Sequence, residues 1–446
     1  MMRQLYSLCM WLVQPLLRRK LLRRARAEPA YGLGIDQRFG RYPELARAAT
    51  GDGATRNPGP RIWVHAVSLG ETRAAAVLVQ RLRLAVPAMQ LLLTHGTATG
   101  MEAGRALLHN GDVQVWQPWD TAGAVARFLA FFKPQIGLLM ETEVWPNLVA
   151  GCVEAGVPIC LVNARLSDKS MRSALRLASI SRPAYGALTA VWAQTDDDAA
   201  RLRQLGANVQ GVLGNLKFDA TPDPAQVAQG RAWRAAWGRP VVVFASAREG
   251  EEAMWLAAMQ CARDALQNSQ SGPIQWLIVP RHPQRFDEVE SLLVAAGYAV
   301  ARRSRWQDGP PPPDRSKTQV WLGDSLGEMA LYYGLSDVAL LGGSFANFGG
   351  QNLIEAAACA CPIVMGPNTF NFAEAADGAC AAGAGVQVQD LSAAMIQVLG
   401  WLENPASLQH ARNCALHWSQ LHRGAAQASA LAVANLLSAA SLGADN

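Results

Sequence analysis

Carboxylates that directly follow apolar segments are the first candidates for chemistry in this sequence. Glu71 follows the segment Arg61 to Ser68, and both Glu141 and Glu143 follow Ile136 to Met140. A carboxylate at such a place can act as a general base in a cleft, or it can complement the dipole of the helix that follows. Spacing alone favours the helix-dipole interpretation for Glu71. A sugar-facing role for Glu141 and Glu143 remains open beside helix capping.

The glycine-rich stretch from Val338 to Phe372 is the second candidate. An apolar run leads into the pairs Gly342-Gly343 and Gly349-Gly350, and a helical pattern covers Asn352 to Cys359. Glycines let a backbone approach a ligand closely, and a helix N-terminus directs N–H groups at an anion. This stretch would suit a phosphate, and Glu355 could accept hydrogen bonds from a ribose diol. An ordinary strand-to-helix turn with a solvated Glu355 is an equal alternative.

Neither the cysteines nor the acidic clusters predict a metal site. The eight cysteines form no Cys-x-x-Cys pair and have no regular spacing, which favours a reducing compartment without a zinc site. Asp196, Asp197 and Asp198 resemble a metal cluster, but the helical pattern from Ala199 to Leu205 follows at once. We therefore interpret the three acids as a helix cap and first-turn residues.

Alternating strands and helices must position these candidates. The strand-like segments are Arg61 to Ser68, Gln90 to Leu93, Ile136 to Met140, Ile159 to Val162, Val191 to Gln194, Pro240 to Ala245, Trp276 to Val279 and Val320 to Leu322. Such alternation predicts parallel sheets, which bind ligands at the carboxyl ends of their strands. The proline-containing segment Thr221 to Pro224 separates two halves. The expected fold class is α/β, with two Rossmann-like domains facing a cleft.

The N-terminus combines an apolar run with a basic cluster. Leu5 to Leu17 is apolar except for Ser7 and Gln14, and it is shorter than the roughly 20 residues of a bilayer span. Residues 1–27 carry seven basic side chains and no acid, so the rest of the chain has a net charge of −2 against +5 for the whole. Basicity confined to one end argues against a general nucleic-acid binder. We expect a membrane anchor or an interfacial helix on anionic headgroups; a core-packed first helix is the alternative.

Nine motifs follow one another in an order that resembles a known family. They are HAVSLGE, METEVWPN, NARLS, GNLKFD, EGEE, PRHPQRF, GDSLGEM, GGQNLIEAAA and GPNTFNF. In type and order they resemble the 3-deoxy-D-manno-octulosonic acid (Kdo) transferases of lipopolysaccharide synthesis, over nearly the whole chain. The resemblance implies a GT-B glycosyltransferase that moves Kdo from CMP-Kdo to the membrane-bound lipid A precursor, lipid IVA. It also implies the cytoplasmic face of the inner membrane.

The resemblance implies three catalytic residues. Glu71 in SLGE matches the catalytic base, which takes the proton of the acceptor hydroxyl in an inverting displacement. Glu141 in ETE and Lys217 in NLKFD match residues assigned to transition-state stabilisation. Positive charge grows at the anomeric carbon and negative charge on the departing phosphate, so a carboxylate and an ammonium suit the two ends. The resemblance thus reverses the helix-dipole interpretation of Glu71.

The donor-binding residues are implied by the same resemblance. The matching CMP-contacting positions are Arg281, His282, Gly327, Glu328, Met329, Asn352, Leu353, Ile354 and Glu355. Arg281 can pair with phosphate, and Glu355 can hold the ribose hydroxyls. No metal or other cofactor is expected, and the partners are the CMP-Kdo donor, the lipid acceptor and the membrane surface, with no nucleic acid.

Three positions depart from the family pattern, which usually has histidine where this chain has Arg248, Gln351 and Asn368. Each substitute donates hydrogen bonds, but none titrates near neutral pH. Two other functions therefore stay open: a GT-B transferase with another nucleotide sugar or acceptor, and a non-catalytic membrane-bound relative. An NAD-dependent oxidoreductase is disfavoured because no Gly-x-Gly-x-x-Gly follows a strand.

The expected domain organisation has four parts. Residues 1–27 form the membrane anchor or interfacial helix, and residues 28–220 form the acceptor-binding Rossmann-like domain. Residues 221–410 form the CMP-sugar donor-binding Rossmann-like domain, and residues 411–446 form closing C-terminal helices.

Overall fold

The chain folds into two compact units in a computed structural model that describes residues 2–48, 59–311 and 319–444. Unit 1 comprises Met1–Asp219 with Arg423–Asn446, and unit 2 comprises Ala220–His422. The C-terminal segment expected as one set of closing helices is thus divided between the units.

Strands and helices alternate along both units. The strands are β1 (Arg61–His65), β2 (Gln90–His95), β3 (Val113–Trp116), β4 (Ile136–Met140), β5 (Ile159–Ala164), β6 (Ala190–Ala193), β7 (Val209–Val212), β8 (Val241–Ala247), β9 (Gln275–Pro280), β10 (Ala299–Arg302), β11 (Gln319–Leu322), β12 (Val338–Leu341), β13 (Ile363–Met365) and β14 (Gly385–Gln387). The helices are α1 (Met2–Ala27), α2 (Pro43–Ala48), α3 (Leu69–Ala85), α4 (Ala98–Gly104), α5 (Ala122–Phe132), α6 (Pro146–Glu154), α7 (Asp168–Arg176), α8 (Ala178–Gly186), α9 (Asp196–Gln204), α10 (Pro224–Trp237), α11 (Glu251–Cys261), α12 (Arg263–Gln267), α13 (Phe286–Ala295), α14 (Met329–Leu335), α15 (Leu353–Ala358), α16 (Ala373–Ala381), α17 (Leu391–Glu403), α18 (Pro405–Leu421) and α19 (Ala425–Ala444).

Unit 1 is built on a seven-stranded parallel sheet in the order β3-β2-β1-β4-β5-β6-β7. Its central strands are buried on both faces, as the uninterrupted apolar run Ile136 to Met140 predicts. One face packs against α5 and α6, and the other packs against α3 and the C-terminal helix α19. Strand order reverses between β1 and β4, so the loops after these two strands flank the topological switch point.

Unit 2 repeats this plan with the order β10-β11-β9-β8-β12-β13-β14, again all parallel. The reversal lies between β8 and β12, whose carboxyl ends lead into EGEE and the glycine-rich loop. The α/β class and the two Rossmann-like halves are therefore confirmed.

The strands that sequence reasoning missed are mostly short edge strands. β3, β7, β10 and β14 lie at the sheet edges, and β13 is three residues long. The side chains of β7 alternate between partial burial and exposure, so this strand lacks the continuous apolar run of a central one.

The N-terminal helix α1 is present and continues through Pro15. None of its residues is buried, and side-chain hydrogen bonds from Tyr6 to Asp120 (2.8 Å) and from Ser7 to Asn147 (2.8 Å) attach it to unit 1. Among the helices in the described ranges, none has the length and apolar content needed to cross a bilayer.

Candidate active site

Glu71 lies in the first turn of α3, where it takes part in a variant of the capping box. Ser68 is the N-cap residue, and its hydroxyl oxygen accepts a hydrogen bond from the N–H of Glu71 (3.4 Å). The Glu71 carboxylate accepts hydrogen bonds from the Val67 N–H (2.8 Å) and the Ser68 hydroxyl (3.1 Å). The Ser-x-x-Glu spacing thus has a local structural role. Among the described residues these are its two side-chain hydrogen bonds, which leaves the carboxylate acceptor capacity.

The environment of Glu71 adjusts its acidity to that of a general base. Its pKa is raised from 4.5 to about 7. Burial is the largest cause, and the hydrogen bond from Val67 opposes it. The negative charges of Glu143 and Glu141 raise the pKa as well. A carboxyl group with a pKa near neutrality can accept a proton efficiently at physiological pH.

Glu141 lies directly after β4, between two cations. Its Oε1 is 3.5 Å from Nζ of Lys217, and its Oε2 is 3.8 Å from a guanidinium nitrogen of Arg165. The backbone of Glu141 is left-handed, with φ of 54°, and Asn163 in the neighbouring strand has the same value. Such conformations cost free energy in residues with a side chain and cluster at functional sites. They direct the Glu141 side chain toward the residues that follow β5 and β7.

Glu143 is a third carboxylate at this edge of the sheet. Its carboxylate accepts a hydrogen bond from the indole N–H of Trp145 (2.8 Å). Its pKa is raised, mainly by burial, while the Trp145 hydrogen bond opposes the shift and the charge of Glu141 adds to it. Glu143 therefore affects Glu71 through its charge.

A polar network behind Lys217 fixes the position of this residue. The side-chain oxygen of Asn163 accepts from the N–H of Leu216 (3.0 Å), and the Gln194 amide donates to the carbonyl of Asn163 (2.9 Å). Asn215 in turn donates to Gln194 (2.9 Å). Lys217 thus stands on a short 3₁₀ helix, Leu216–Asp219, which is tied to the ends of β5 and β6.

Parallel-sheet topology explains why these side chains meet. Glu71, Glu141 and Lys217 follow β1, β4 and β7, so all three lie beyond the carboxyl edge of one sheet. Glu71 and Glu141 flank the switch point, where crevices form in open α/β sheets. The three residues that the sequence singled out as catalytic are therefore brought together; their roles remain predictions.

In unit 2 the start of the glycine-rich loop binds a carboxylate of the protein itself. The buried Glu251 carboxylate accepts hydrogen bonds from the N–H groups of Gly343 (2.6 Å), Phe345 (3.0 Å) and Ala346 (3.1 Å), as well as Arg248 (2.8 Å). These amides are thereby occupied by a carboxylate of the protein itself. A β-carbon on Gly342 would clash with the carbonyl oxygen of Ser246. Packing within the unit therefore accounts for glycine at that position, without reference to a ligand.

The predicted donor residues Arg281 and His282 follow β9. The Arg281 guanidinium donates to the side-chain oxygen of Gln351 (3.1 Å). The pKa of His282 is lowered, first by burial and then by the nearby charge of Arg248. Arg285, four residues after Arg281, pairs with the buried Glu252 (2.7 Å), which makes EGEE and PRHPQRF parts of one scaffold.

The other predicted donor residues lie at two helix starts. Gly327 has φ of 79°, Glu328 pairs with Arg303 (2.8 Å), and Met329 begins α14. Asn352 is the N-cap of α15 and accepts from the N–H of Ile354 (3.2 Å). The remaining members are the buried Leu353 and Ile354, whose side chains cannot reach a ligand, and the partly exposed Glu355 in the first turn of α15.

The three residues that depart from the family pattern lie around the Glu251-bound loop. Arg248 stacks on Phe348, with 4.2 Å between the guanidinium carbon and the ring centroid. Gln351 accepts from Arg281, and the Asn368 amide donates to the carbonyl of Ser344 (3.3 Å). Each thus forms a contact that needs no titratable group.

Sequence reasoning assigned no separate role to Arg165, Asn163 or Glu251, although their motifs were noted. Each acts on a neighbour that is distant along the chain, which local spacing does not reveal. In the part of the chain that the structure describes, no group of three or more His, Cys, Asp or Glu side chains is arranged to hold a metal ion.

Comparisons with known proteins agree with the motif pattern. A family model described as 3-deoxy-D-manno-octulosonic-acid transferase matches residues 34–220. A protein of Bordetella pertussis named 3-deoxy-D-manno-octulosonic acid transferase is 46% identical over 431 residues, covering 95% of this chain and 96% of its own. One of the same name from Haemophilus influenzae is 30% identical over 378 residues, covering 84% of each chain.

Solved structures share the fold at low sequence identity. A glycosyltransferase from Rickettsia africae has a TM-score of 0.55 at 11% identity, and covers 85% of this chain and 99% of its own. A UDP-GlcNAc 2-epimerase from Neisseria meningitidis has a TM-score of 0.54 at 15% identity, with 85% and 100% covered. Together they support the two-domain GT-B architecture.

Proposed function

Since this chain belongs to the family of 3-deoxy-D-manno-octulosonic acid (Kdo) transferases, as a relative 46% identical over 95% of it establishes, we propose that it transfers Kdo from CMP-Kdo to lipid IVA with inversion at the anomeric carbon. Family membership makes the protein a Kdo transferase. The donor, the lipid acceptor and the stereochemistry are the proposed parts.

The main support for the proposal is that the pKa of the Glu71 carboxyl group, which lies beside the Glu141–Lys217 ion pair, is raised to about 7. In the proposed reaction Glu71 takes the proton of the acceptor's primary hydroxyl. The hydroxyl oxygen attacks the anomeric carbon of Kdo from the face opposite CMP. The bond from that carbon to the phosphate oxygen then breaks, and CMP departs with the electron pair.

Glu141 and Lys217 stabilise the two charges that this displacement creates. The Glu141 carboxylate favours the positive charge that grows at the anomeric carbon, and the Lys217 ammonium favours the negative charge on the departing phosphate. The ion pair between them, at 3.5 Å, holds the two side chains in place relative to each other. Arg165, at 3.8 Å, holds the other oxygen of Glu141.

Unit 2 provides the proposed CMP site. Arg281, oriented by Gln351, is the candidate for the phosphate. Glu355 in the first turn of α15 is the candidate for the ribose hydroxyls, and the segment Gly327 to Met329 offers backbone groups to the cytosine edge.

The proposed location is the cytoplasmic face of the inner membrane. Its support is α1, whose outward side chains include exposed leucines and whose C-terminal half carries a cluster of arginines. Such a helix can lie at a bilayer interface, with its cations among anionic headgroups.

The test is transfer from CMP-Kdo to a tetraacylated lipid A precursor, followed by mass spectrometry and by NMR of the new glycosidic linkage. The expected result is a mass increase of one or more Kdo units, with the anomeric configuration opposite to that of the donor. Reactions without and with added Mg²⁺ are run in parallel.

Retention of configuration would overturn the base role of Glu71, because a retaining reaction requires a different sequence of steps. Folded protein that neither forms product nor binds CMP-Kdo by calorimetry would overturn the proposed donor. A panel of other nucleotide sugars would then identify the replacement.

A further inference from the structure

A buried histidine of β2 lies behind the loop that carries Glu71, and no part of the proposed mechanism uses it. His95 is fully buried at the last position of β2. Its Nδ1 is 2.8 Å from the carbonyl oxygen of Ala66, the residue that follows β1. Its Nε2 is 2.9 Å from the side-chain nitrogen of Gln114 in β3. A β-carbon on Gly104 would clash with the ring, so packing also holds the imidazole in place.

The contacts of Gln114 fix the protonation state of His95. The side-chain nitrogen of Gln114 also lies 2.8 Å from the carbonyl oxygen of Met101, so this atom is the donor in both contacts. Nε2 of His95 must then accept, and the proton of the neutral ring resides on Nδ1, which donates it to Ala66. The Thr72 hydroxyl, at 3.3 Å, is the more distant neighbour of Nδ1. Burial lowers the pKa of His95 to about 4 against the opposing effect of the Ala66 hydrogen bond, which keeps the ring neutral at physiological pH.

One peptide group connects His95 to Glu71. The carbonyl of Ala66 and the N–H of Val67 belong to the same planar amide and point to opposite sides of it. His95 donates to this carbonyl, and the N–H donates to the Glu71 carboxylate (2.8 Å). A donor at the carbonyl oxygen polarises the amide and strengthens the hydrogen bond that its N–H forms. His95 is therefore linked to the carboxylate by two hydrogen bonds and a single amide.

The residues after β2 hold the next peptide group. The carbonyl oxygen of Val67 accepts from the N–H groups of Gly96 (3.2 Å) and Thr97 (3.0 Å). It also accepts from the Thr97 hydroxyl (2.9 Å). With this carbonyl held by three donors, the orientation of the preceding amide depends on the partner of its own carbonyl oxygen, which is His95.

The charged and titratable groups around Glu71 and His95 come from several elements. They are Glu141 and Glu143 after β4, His65 in β1, and Arg38 in the 3₁₀ helix Ile35–Phe39, whose guanidinium donates to the carbonyl of Gly96 (3.0 Å). Substitution of His95 leaves all four in the protein. A change in the acidity of Glu71 would therefore report the state of the Ala66–Val67 amide.

We propose that His95 is a positioning residue for the reaction: its Nδ1–H sets the orientation of the Ala66–Val67 amide, and this amide holds the Glu71 carboxylate in place. The inference rests on the proposed function for the role of Glu71 as base, and it adds a buried residue that acts through the backbone. The hydrogen bond from Val67 lowers the pKa of Glu71. A variant without the Nδ1 donor should therefore have a Glu71 with a higher pKa.

The first test is the pH dependence of kcat/KM with CMP-Kdo and lipid IVA for His95→Leu, His95→Gln and His95→Asn. The amide nitrogen of asparagine reaches the place of Nδ1, whereas that of glutamine reaches the place of Nε2. For the leucine and glutamine variants we expect the acidic limb to move to higher pH by about half a unit to one unit. We also expect the plateau to fall by about tenfold in these two variants. For His95→Asn the limb should stay within about 0.2 unit of the wild-type position, because the donor to Ala66 is kept.

His65→Leu is the matched control. His65 is an equally buried histidine at the end of β1, and its Nδ1 contacts the carbonyl and hydroxyl oxygens of Thr94 (3.1 and 2.9 Å). Its loss should lower the melting temperature as the loss of His95 does, but it should leave the acidic limb in place. An equal movement of the limb in His65→Leu and His95→Leu, or a limb that moves in His95→Asn as far as in His95→Leu, would overturn the proposal.

Two NMR measurements on the full-length protein without substrates separate this inference from the proposed function. Nitrogen-15 spectra of the histidine-labelled wild type should show His95 as the neutral Nδ1–H tautomer near neutral pH, and this measurement needs no variant. Carbon-13 spectra of glutamate-labelled protein, with Glu71→Gln to assign the signal, should give a higher carboxyl pKa in His95→Leu than in the wild type. An Nε2–H tautomer or an unchanged carboxyl pKa would overturn the role of His95. Both expected NMR results in a protein that transfers no Kdo would overturn the proposed function alone.

Discussion

Glu71 in unit 1 and Glu251 in unit 2 follow the same local rule and end in different environments. Each stands in the first turn of the helix after a central strand, β1 or β8, at the edge where strand order reverses. Glu71 accepts two hydrogen bonds, from Val67 and Ser68, and remains partly exposed. Glu251 is fully buried and accepts four, all from backbone N–H groups.

The number of donors, and not the motif position, distinguishes a carboxylate that keeps acceptor capacity from one whose oxygens are fully occupied. Four N–H groups saturate the acceptor capacity of a carboxylate and fix it as a loop anchor. Two donors, with the negative charges of Glu141 and Glu143 nearby, leave Glu71 able to gain a proton. Mutations at the two sites should therefore affect different observables.

The largest expected effect is on turnover, from Glu71→Gln. The amide keeps one acceptor for the capping box but cannot take the hydroxyl proton. We expect kcat to fall by about a thousandfold, while the Kd for CMP-Kdo changes less than about twofold. Single-turnover kinetics and calorimetry measure the two quantities.

Glu102→Gln is the matched control for this variant. Glu102 is an exposed acid of α4 that pairs with the surface residue Arg105, so its loss should leave kcat unchanged. A Glu71→Gln enzyme that loses donor affinity and turnover in equal measure would contradict the distinction between the two carboxylates.

Glu251→Gln should instead reduce stability. The new NH₂ group would face two backbone N–H groups that now donate to the carboxylate, either those of Phe345 and Ala346 or those of Arg248 and Gly343. Buried donors without acceptors predict a loss of about 3 kcal/mol in the free energy of unfolding. Urea denaturation of the purified variant measures the loss.

The exposed neighbour Glu249 supplies the comparison for that measurement. Glu249→Gln removes a carboxylate that pairs with Arg248 at the surface, and its effect should stay within about 0.5 kcal/mol. If Glu251→Gln were as stable as Glu249→Gln, the four backbone hydrogen bonds would not anchor the loop.

Lys217→Met tests the other half of the proposed catalytic group. Methionine approximates the aliphatic part of lysine but cannot stabilise negative charge on the departing phosphate. The expected fall in kcat is about a hundredfold, as for other single electrostatic stabilisers. Arg165→Met, at a more exposed cation 3.8 Å from Glu141, should cost less than about tenfold. The reverse order would reassign the phosphate partner.

Much of this arrangement follows from sequence because parallel sheets impose it. Continuous apolar runs such as Ile136 to Met140 mark central strands, and the residues after them must meet at one edge. That logic places Glu71 and Glu141 at one edge, whereas Lys217 was added by the family resemblance, because the edge strand β7 that precedes it has no continuous apolar run. It could not separate Glu71 from Glu251, because the donors of Glu251 at Gly343 to Ala346 are more than 90 positions away and belong to another strand's loop.

The glycine-rich loop illustrates the same limit. Its pattern left a phosphate site and an ordinary strand-to-helix turn as equal alternatives, and in the fold the N–H groups of Gly343, Phe345 and Ala346 bind Glu251 while Gly342 packs against Ser246. Glycine spacing indicates that another group approaches the backbone closely. It does not show whether that group belongs to a ligand or to the protein itself, because this depends on the fold.

The smallest expected effect, and the most specific, is in the pH dependence of kcat/KM. The base acts in its deprotonated form, so kcat/KM should rise about tenfold per pH unit below the pKa of Glu71 and level off above about 7. Glu143→Gln removes one negative charge that raises this pKa. The rising limb of the profile should therefore move to lower pH, by less than about one unit, with little change in the plateau.

Glu102→Gln should leave the limb in place, because the Glu102 carboxylate is not among the charges that raise the pKa of Glu71. If Glu143→Gln did not shift the acidic limb of the kcat/KM profile, the titrating group would not be Glu71. The contrast with Glu251 would then rest on geometry alone.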